Sequence, residues 1–204
     1  MKPPSNDKDA LRKILRQQRS KLSSTLQKEK SKSIVLNIEQ SSAYTSAYHI
    51  ALYYPVQGEV DLLPLTQLNT PSSANKQFSL PILQAEDEPL LFARTTNQSK
   101  FEANRFSIPE PIYNENDLLA GNTLDLVLMP LLGFDKKGNR LGMGGGFYDR
   151  TFAFLNKNAG GPLLMGIAYD FQEVASLHAE SWDIPLDFIA TESRLISARK
   201  DQTP

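Results

Sequence analysis

Cysteine is absent from the 204 residues, and that absence excludes disulfides, thiolate metal sites and cysteine nucleophiles together. It fits a reducing compartment. No apolar run approaches the ~18 residues that suggest a membrane span; the longest, around Leu124 to Phe134, is strand-sized. An excess of one charge is also missing. Lys and Arg number 22 against 23 Asp and Glu, a formal net charge of -1, so no global field advertises a nucleic-acid or membrane partner. Met1, Lys2, Pro3 and Pro4 lead into charges rather than an apolar h-region and do not read as a secretory signal. The expectation is a cytoplasmic protein, taken as a monomer, with no nucleic-acid or membrane partner.

What is present is globular in character. Hydrophobic residues at 40% and charged residues at 22% argue against disorder throughout. The length suits one well-filled core and is short for two. With no repeat and no linker, a single domain over 1–204 is expected, its polar tail frayed after about residue 197.

Leu11, Ile14, Leu15, Leu22 and Leu26 recur at helical spacing, with Lys8, Arg12, Lys13, Arg16, Arg19 and Lys21 between them. Ser24 and Gln27 form a candidate capping box that restarts the helix and carries Ile34, Val35 and Ile38 inward. Polar Ser41 to Ser46 breaks it. His49 to Pro55 reads as a buried strand stopped by proline, followed by a turn bearing Glu59 and Asp61. Asp61 is placed to cap a short helix through Leu62, Leu65 and Leu68. Further strands are expected at Phe78–Leu83, Leu90–Arg94, Leu124–Pro130, Leu163–Tyr169 and Asp187–Ala190, and a helix at Phe147–Leu155, while Pro109-Glu110-Pro111 reads as irregular. Strands alternating with helices predict an α/β fold: three α/β/α layers around an open, mostly parallel sheet. Ligands in such folds bind beyond the C-terminal ends of strands.

The segment that carries chemistry follows the strongest strand. Four of the five residues from Gly142 to Gly146 are glycine, which permits positive φ and close approach of a ligand. Consecutive amides there can converge on one anion, and a following helix N-terminus would add its positive end. Arg140 can add a charge-assisted bidentate bond to phosphate, and Asp149 is a hard oxygen ligand for a Mg²⁺ carried on phosphates. No Gly-Lys-Ser/Thr follows, so this is not a Walker A loop, and the run Gly144 to Gly146 does not fit the dinucleotide fingerprint.

Met129-Pro130-Leu131-Leu132-Gly133-Phe134-Asp135, followed by Asn139 through Arg150, resembles the signature of the 5-formyltetrahydrofolate cyclo-ligase family. The likeness extends to the basic N-terminal helix, to Tyr53 through Asp61, to Leu124 through Pro130 and to Trp182 through Asp187. It implies a Rossmann-like fold similar to those of sugar-phosphate isomerases and CoA transferases. It also implies ATP- and Mg²⁺-dependent cyclisation of 5-formyltetrahydrofolate to 5,10-methenyltetrahydrofolate, with release of ADP and phosphate. Phosphorylating the formyl oxygen makes a poor leaving group a good one, and such a reaction depends on positioning and charge rather than on a nucleophile. His49 and His178 then need no role.

Carried over by position, the resemblance implies ATP contacts from Lys8, Arg12, Arg140, Leu141, Gly142, Met143, Gly144, Gly145, Gly146, Phe147 and Tyr148, with Arg140 also catalytic. Asp149 and Asp187 match its Mg²⁺ positions, and Tyr54, Glu59 and Phe106 its folate wall. The residues by themselves leave alternatives open: a solvated basic face for Lys8 and Arg12, a surface turn for Glu59, a core tyrosine for Tyr54 and a local cap for Asp187. Some relatives carry lysine where this chain has Gly145, so another cation or the backbone must serve here.

Overall fold

In the computed structural model, which describes residues 7–67, 75–157 and 160–198, one eight-stranded sheet runs through the molecule. Its strands are β1 (His49–Ala51), β2 (Gln77–Ile82), β3 (Leu91–Thr95), β6 (Leu118–Ala120), β7 (Leu126–Pro130), β10 (Leu163–Ile167), β11 (Phe188–Ala190) and β12 (Leu195–Ser197), in the order β12-β11-β10-β7-β1-β2-β3-β6. The five from β11 to β2 are parallel, and β12, β3 and β6 add antiparallel edges. Two small hairpins stand apart, β4 (Phe101–Ala103) with β5 (Pro109–Pro111) and β8 (Gly133–Phe134) with β9 (Arg140–Leu141).

Burial on both faces explains the continuous apolar runs of β7 and β10. One face packs Ile50, Leu126, Leu128, Met165 and Ile167 beneath Ile34, Val35 and Ile38 of α2 (Ser24–Glu39) and Tyr44 of α3 (Ser42–Ser46). On the other, Val127, Met129, Leu164 and Ile189 meet Phe134 of β8, Phe152 of α4 (Phe147–Phe152), Ile184 and Leu186. The first helix, α1 (Lys8–Ser20), joins neither layer: Leu15 packs with Leu141 and Leu177. Among the described residues no helix is long and apolar enough to cross a membrane.

Several local expectations shift. The cap of α2 is Ser23, whose hydroxyl accepts the Leu26 N–H, rather than Ser24. Ser41 caps α3 instead of ending all helix, by accepting the Tyr44 N–H. The strand expected at His49–Pro55 stops at Ala51, and that expected at Leu163–Tyr169 stops at Ile167, so Tyr53, Tyr54 and Tyr169 leave the sheet at one edge. Pro109-Glu110-Pro111 is a strand. Its flanking bonds run from Ile112 N to Lys100 O and from Asn104 N to Ile108 O, so the prolines fall at alternate positions that need no donor. Asp61 caps a short 3₁₀ turn, Leu63–Gln67. Leu68 and the tail from 199 lie outside the described residues.

From β1 the chain moves to β2 on one side, and from β7 to β10 on the other. The crevice between β1 and β7 is therefore a topological switch point. Glu59 follows β1, and the glycine segment follows β7.

Candidate active site

The glycine segment is presented by a braced hairpin. Asp135, 2% exposed, accepts through Oδ1 from the amides of Lys137 and Asn139, and through Oδ2 from Asn139 Nδ2 and the Leu177 amide. Gln172 Nε2 donates to the carbonyls of Leu131 and Leu132. Beyond β9 the chain bends at Gly144 (φ 105) and Gly146 (φ 66), conformations that favour glycine. Among the described residues no acceptor takes an amide hydrogen from Gly142 through Asp149. Eight consecutive donors around two positive-φ bends are the pattern that backbone anion nests use. The α-helix that follows has only six residues, so the loop amides rather than a macrodipole dominate.

Cations surround this loop. Arg12 Nε donates to Gly142 O at 3.0 Å, and Arg16 Nη2 reaches Met143 O at 3.4 Å. Lys8 Nζ lies 3.5 Å from Asp183 and 3.6 Å from Glu180, so it clasps the neighbouring loop. Arg140 is nearly buried: Nη2 contacts Asp149 Oδ1 at 2.5 Å, and Nη1 donates to Ile184 O. Asp149 Oδ1 also accepts the Ile184 amide at 3.1 Å.

Opposite stands an aromatic wall. The tip of the β4–β5 hairpin is folded by Asn104 Oδ1, which accepts from the Phe106 and Ile108 amides. Glu110 Oε1 ties the hairpin to the end of β2 by accepting from Leu83 N and Asn104 Nδ2. Phe106, 55% exposed, meets Phe147 edge-on at 6.1 Å, and Phe101 lies 5.9 Å from Tyr54. At the floor, Glu59 Oε2 accepts the Val56 amide, and Oε1 lies 3.7 Å from Arg19 Nη1. Burial pushes the Glu59 carboxyl above its ordinary range, and Arg19 and the Val56 N–H oppose that rise. Burial also raises the Tyr148 phenol, with Glu59 adding to the shift and Arg140 opposing it. Tyr148 thus lies within electrostatic reach of the floor and the loop alike.

The 5-formyltetrahydrofolate cyclo-ligase family matches residues 4–192. The chain belongs to that family. The match takes in every element just described, from α1 to β11. A cyclo-ligase of this name from Haemophilus influenzae is 38% identical over 86% of this chain and 92% of its own, and one from Escherichia coli K12 is 35% identical over 89% and 98%. In three dimensions the chain resembles the 5,10-methenyltetrahydrofolate synthetase of Aquifex aeolicus, with a TM-score of 0.80 at 30% identity over 97% of this chain and 95% of that one. A synthetase of the same name from Mycoplasma pneumoniae gives 0.70 at 28% over 91% and 99%. The chain is an enzyme of this cyclo-ligase family, in keeping with its ligase and folate chemistry.

Most residues expected from the resemblance converge around the glycine loop. Arg12, Arg140 and the stretch Leu141 to Asp149 share one loop region, and Tyr54, Glu59 and Phe106 form its floor and wall. Glu59 is no surface turn, since its side chain is only 6% exposed. Two residues sit differently. Lys8 reaches the 180–183 loop rather than the glycine amides, and Asp187 stands at the start of β11, where Oδ2 accepts the Leu164 amide. Among the described residues no three His, Asp or Glu side chains gather as a metal cluster. Gly145 leaves no room for a side chain as the loop stands, because a Cβ would come 2.7 Å from the Phe147 ring. The sequence reading missed Arg16, Arg19, Phe101 and Glu110. For Arg19 the signal was there: Leu11, Leu15 and Arg19 recur four apart, which puts a cation in the apolar register.

Proposed function

We propose that the chain catalyses ATP- and Mg²⁺-dependent closure of 5-formyltetrahydrofolate to 5,10-methenyltetrahydrofolate. The observation that carries this reading is the row of amides from Gly142 to Asp149 that no described residue accepts from, set between the cations of α1 and the aromatic wall. The amides receive phosphate oxygens, with Arg12 and Arg16 supplying charge from above. Arg140 holds Asp149 and the 184 backbone in register and adds positive charge beneath the loop, so its task is positioning as well as electrostatics. Tyr54, Phe101 and Phe106 offer flat surfaces to a pterin and its neighbouring ring. Glu59 accepts from ring N–H groups.

The formyl oxygen attacks the γ-phosphorus and ADP departs. N10 then adds to the activated carbon, the carbon–oxygen bond breaks to release phosphate, and the N10 proton leaves. The chain needs no covalent nucleophile for this, since positioning and charge stabilisation are the main requirements. Asp149 fits a role in holding Mg²⁺: Oδ1 is taken twice by protein donors, while Oδ2 accepts from no described residue. A single carboxylate suffices for an ion that keeps its waters and phosphate ligands, and the ion supplies charge neutralisation on those phosphates. Asp187, the other Mg²⁺ position that the resemblance implies, also ties β11 to β10.

The test is a spectroscopic assay with three additions. Absorbance in the methenyl band should rise only when folded protein, 5-formyltetrahydrofolate and Mg-ATP are all present. Ligand binding without turnover would sink the reaction and leave a binding module.

A further inference from the structure

Arg19 is 1% exposed, carries a full positive charge and lies on the inner face of α1. Its Nε donates to Gln57 O at 3.0 Å, and its Nη1 lies 3.7 Å from Glu59 Oε1. Nη2 is buried and has no hydrogen-bond partner. A buried cation left incompletely satisfied costs stability, and such a group calls for an explanation in function. What it grips is unusual: Gln57 and Gly58 both have positive φ, at 50° and 76°, and for glutamine that conformation is strained. The same turn is held by Tyr169, whose hydroxyl donates to Gly58 O at 3.3 Å, and by Tyr53, whose hydroxyl donates to Val60 O at 2.8 Å. A Cβ on Gly58 would crowd Gln27 Nε2 at 3.2 Å and lie in ordinary contact with Arg19. Two turns earlier, the same helix lays Arg12 on Gly142.

We propose that Arg19 is a positioning residue that fixes the Glu59 carboxylate for substrate and, through the continuous helix α1, links that carboxylate to the nucleotide loop. The inference rests on the reading of Glu59 as a substrate contact. An ion pair at 3.7 Å rather than at bidentate range holds the carboxylate in place without saturating it, so Glu59 keeps accepting capacity. Because one helix carries both Arg12 and Arg19, ordering it from either end favours the other, and linkage requires the effect to be reciprocal.

The groups that face Glu59 are Arg19 on α1, Tyr53 and the Val56 amide after β1, Tyr148 on α4 and Tyr169 after β10, with Arg16 beside Arg19. Burial raises the Glu59 carboxyl and Arg19 opposes the rise, so loss of Arg19 moves the acid limb of folate binding to higher pH.

The experiment compares full-length wild type, Arg19→Met, Arg19→Lys, Glu59→Gln and the Arg19→Met/Glu59→Gln double variant. Each is titrated calorimetrically with 5-formyltetrahydrofolate alone, with ATP alone, and with ATP in the presence of the folate, per folded molecule by circular dichroism. Arg19→Met should weaken folate by about tenfold, leave ATP alone within about twofold, abolish the tightening of ATP by folate and shift the acid limb upward. Arg19→Lys should recover part of the loss. The double variant, which leaves no unpaired charge, should bind folate no worse than Glu59→Gln alone. Folate binding unchanged in Arg19→Met, or equal losses for ATP alone and folate alone, overturns the inference. If Glu59→Gln binds folate normally, the assignment of Glu59 fails as well.

Discussion

The hydroxyl of Tyr44 is buried against the α2 face of the sheet and has no hydrogen-bond partner, while Lys76 Nζ lies 4.6 Å from the ring and donates to the Tyr44 carbonyl. An unpaired buried hydroxyl is a liability that phenylalanine removes without opening a cavity. Tyr44→Phe should therefore leave stability unchanged or raise it by roughly 1 kcal/mol, as read from urea midpoints at neutral pH. Burial pushes the Tyr44 phenol up to about 12. A raised phenol contributes stability below its unfolded value near 10 that is lost as pH climbs toward 12. The gap between variant and parent should accordingly widen in alkali; a gap that stays constant means the phenol is not so buried. Residues of this kind are not legible in a sequence. Glu59 reads as a turn carboxylate until Arg19, 40 positions earlier, is brought beside it by the docking of α1.

At the scale of elements, the β4–β5 hairpin has one strand without apolar packing, since every residue of β4 is exposed, while β5 buries Pro111. Its orientation comes from Glu110 Oε1, which joins Leu83 at the end of β2 to Asn104 in the tip. Glu110→Ala should free the hairpin, carry Phe101 and Phe106 out of register with Tyr54 and Phe147, and raise the folate KM severalfold by loss of positioning, with the ATP KM nearly unchanged. Steady-state kinetics with each substrate varied in turn separates the two; an equal rise in both would place the hairpin over the nucleotide as well. The strands β7 and β10 were visible in sequence because burial on both faces demands a continuous apolar run. The hairpin was not, because Pro109 and Pro111 are strand breakers in the abstract and acceptable only at alternate positions of a two-stranded ribbon. The β8–β9 hairpin escaped for another reason: two-residue strands have no period to detect, and the bracing by Asp135 depends on Leu177, far along the chain.

Across the whole molecule, the parallel arrangement and the switch point between β1 and β7 place the two signature turns in one crevice, at the strand ends where the glycine motif was expected. What closes that crevice is α1, which owes its position to a small cluster of Leu15, Leu141 and Leu177, to the buried Arg19 on the Gln57 turn and to polar contacts with the loop rather than to the main core. Such an element belongs to the low-stability end of a structure and opens locally more often than the sheet does. Ligands that bind the closed form therefore stabilise it by mass action, by about 2.7 kcal/mol at a hundredfold excess over Kd, or roughly 5 to 11 °C in Tm for a chain of this size. Hydrogen exchange should show where the gain lies. With Mg-ATP, amides of α1 and of 142–149 should gain protection well before those of β7 and β10, whose exchange should require global opening. Protection that rises in the sheet and not in α1 would mean that nucleotide binds away from the helix, and that α1 is a cover for the core rather than one wall of the site.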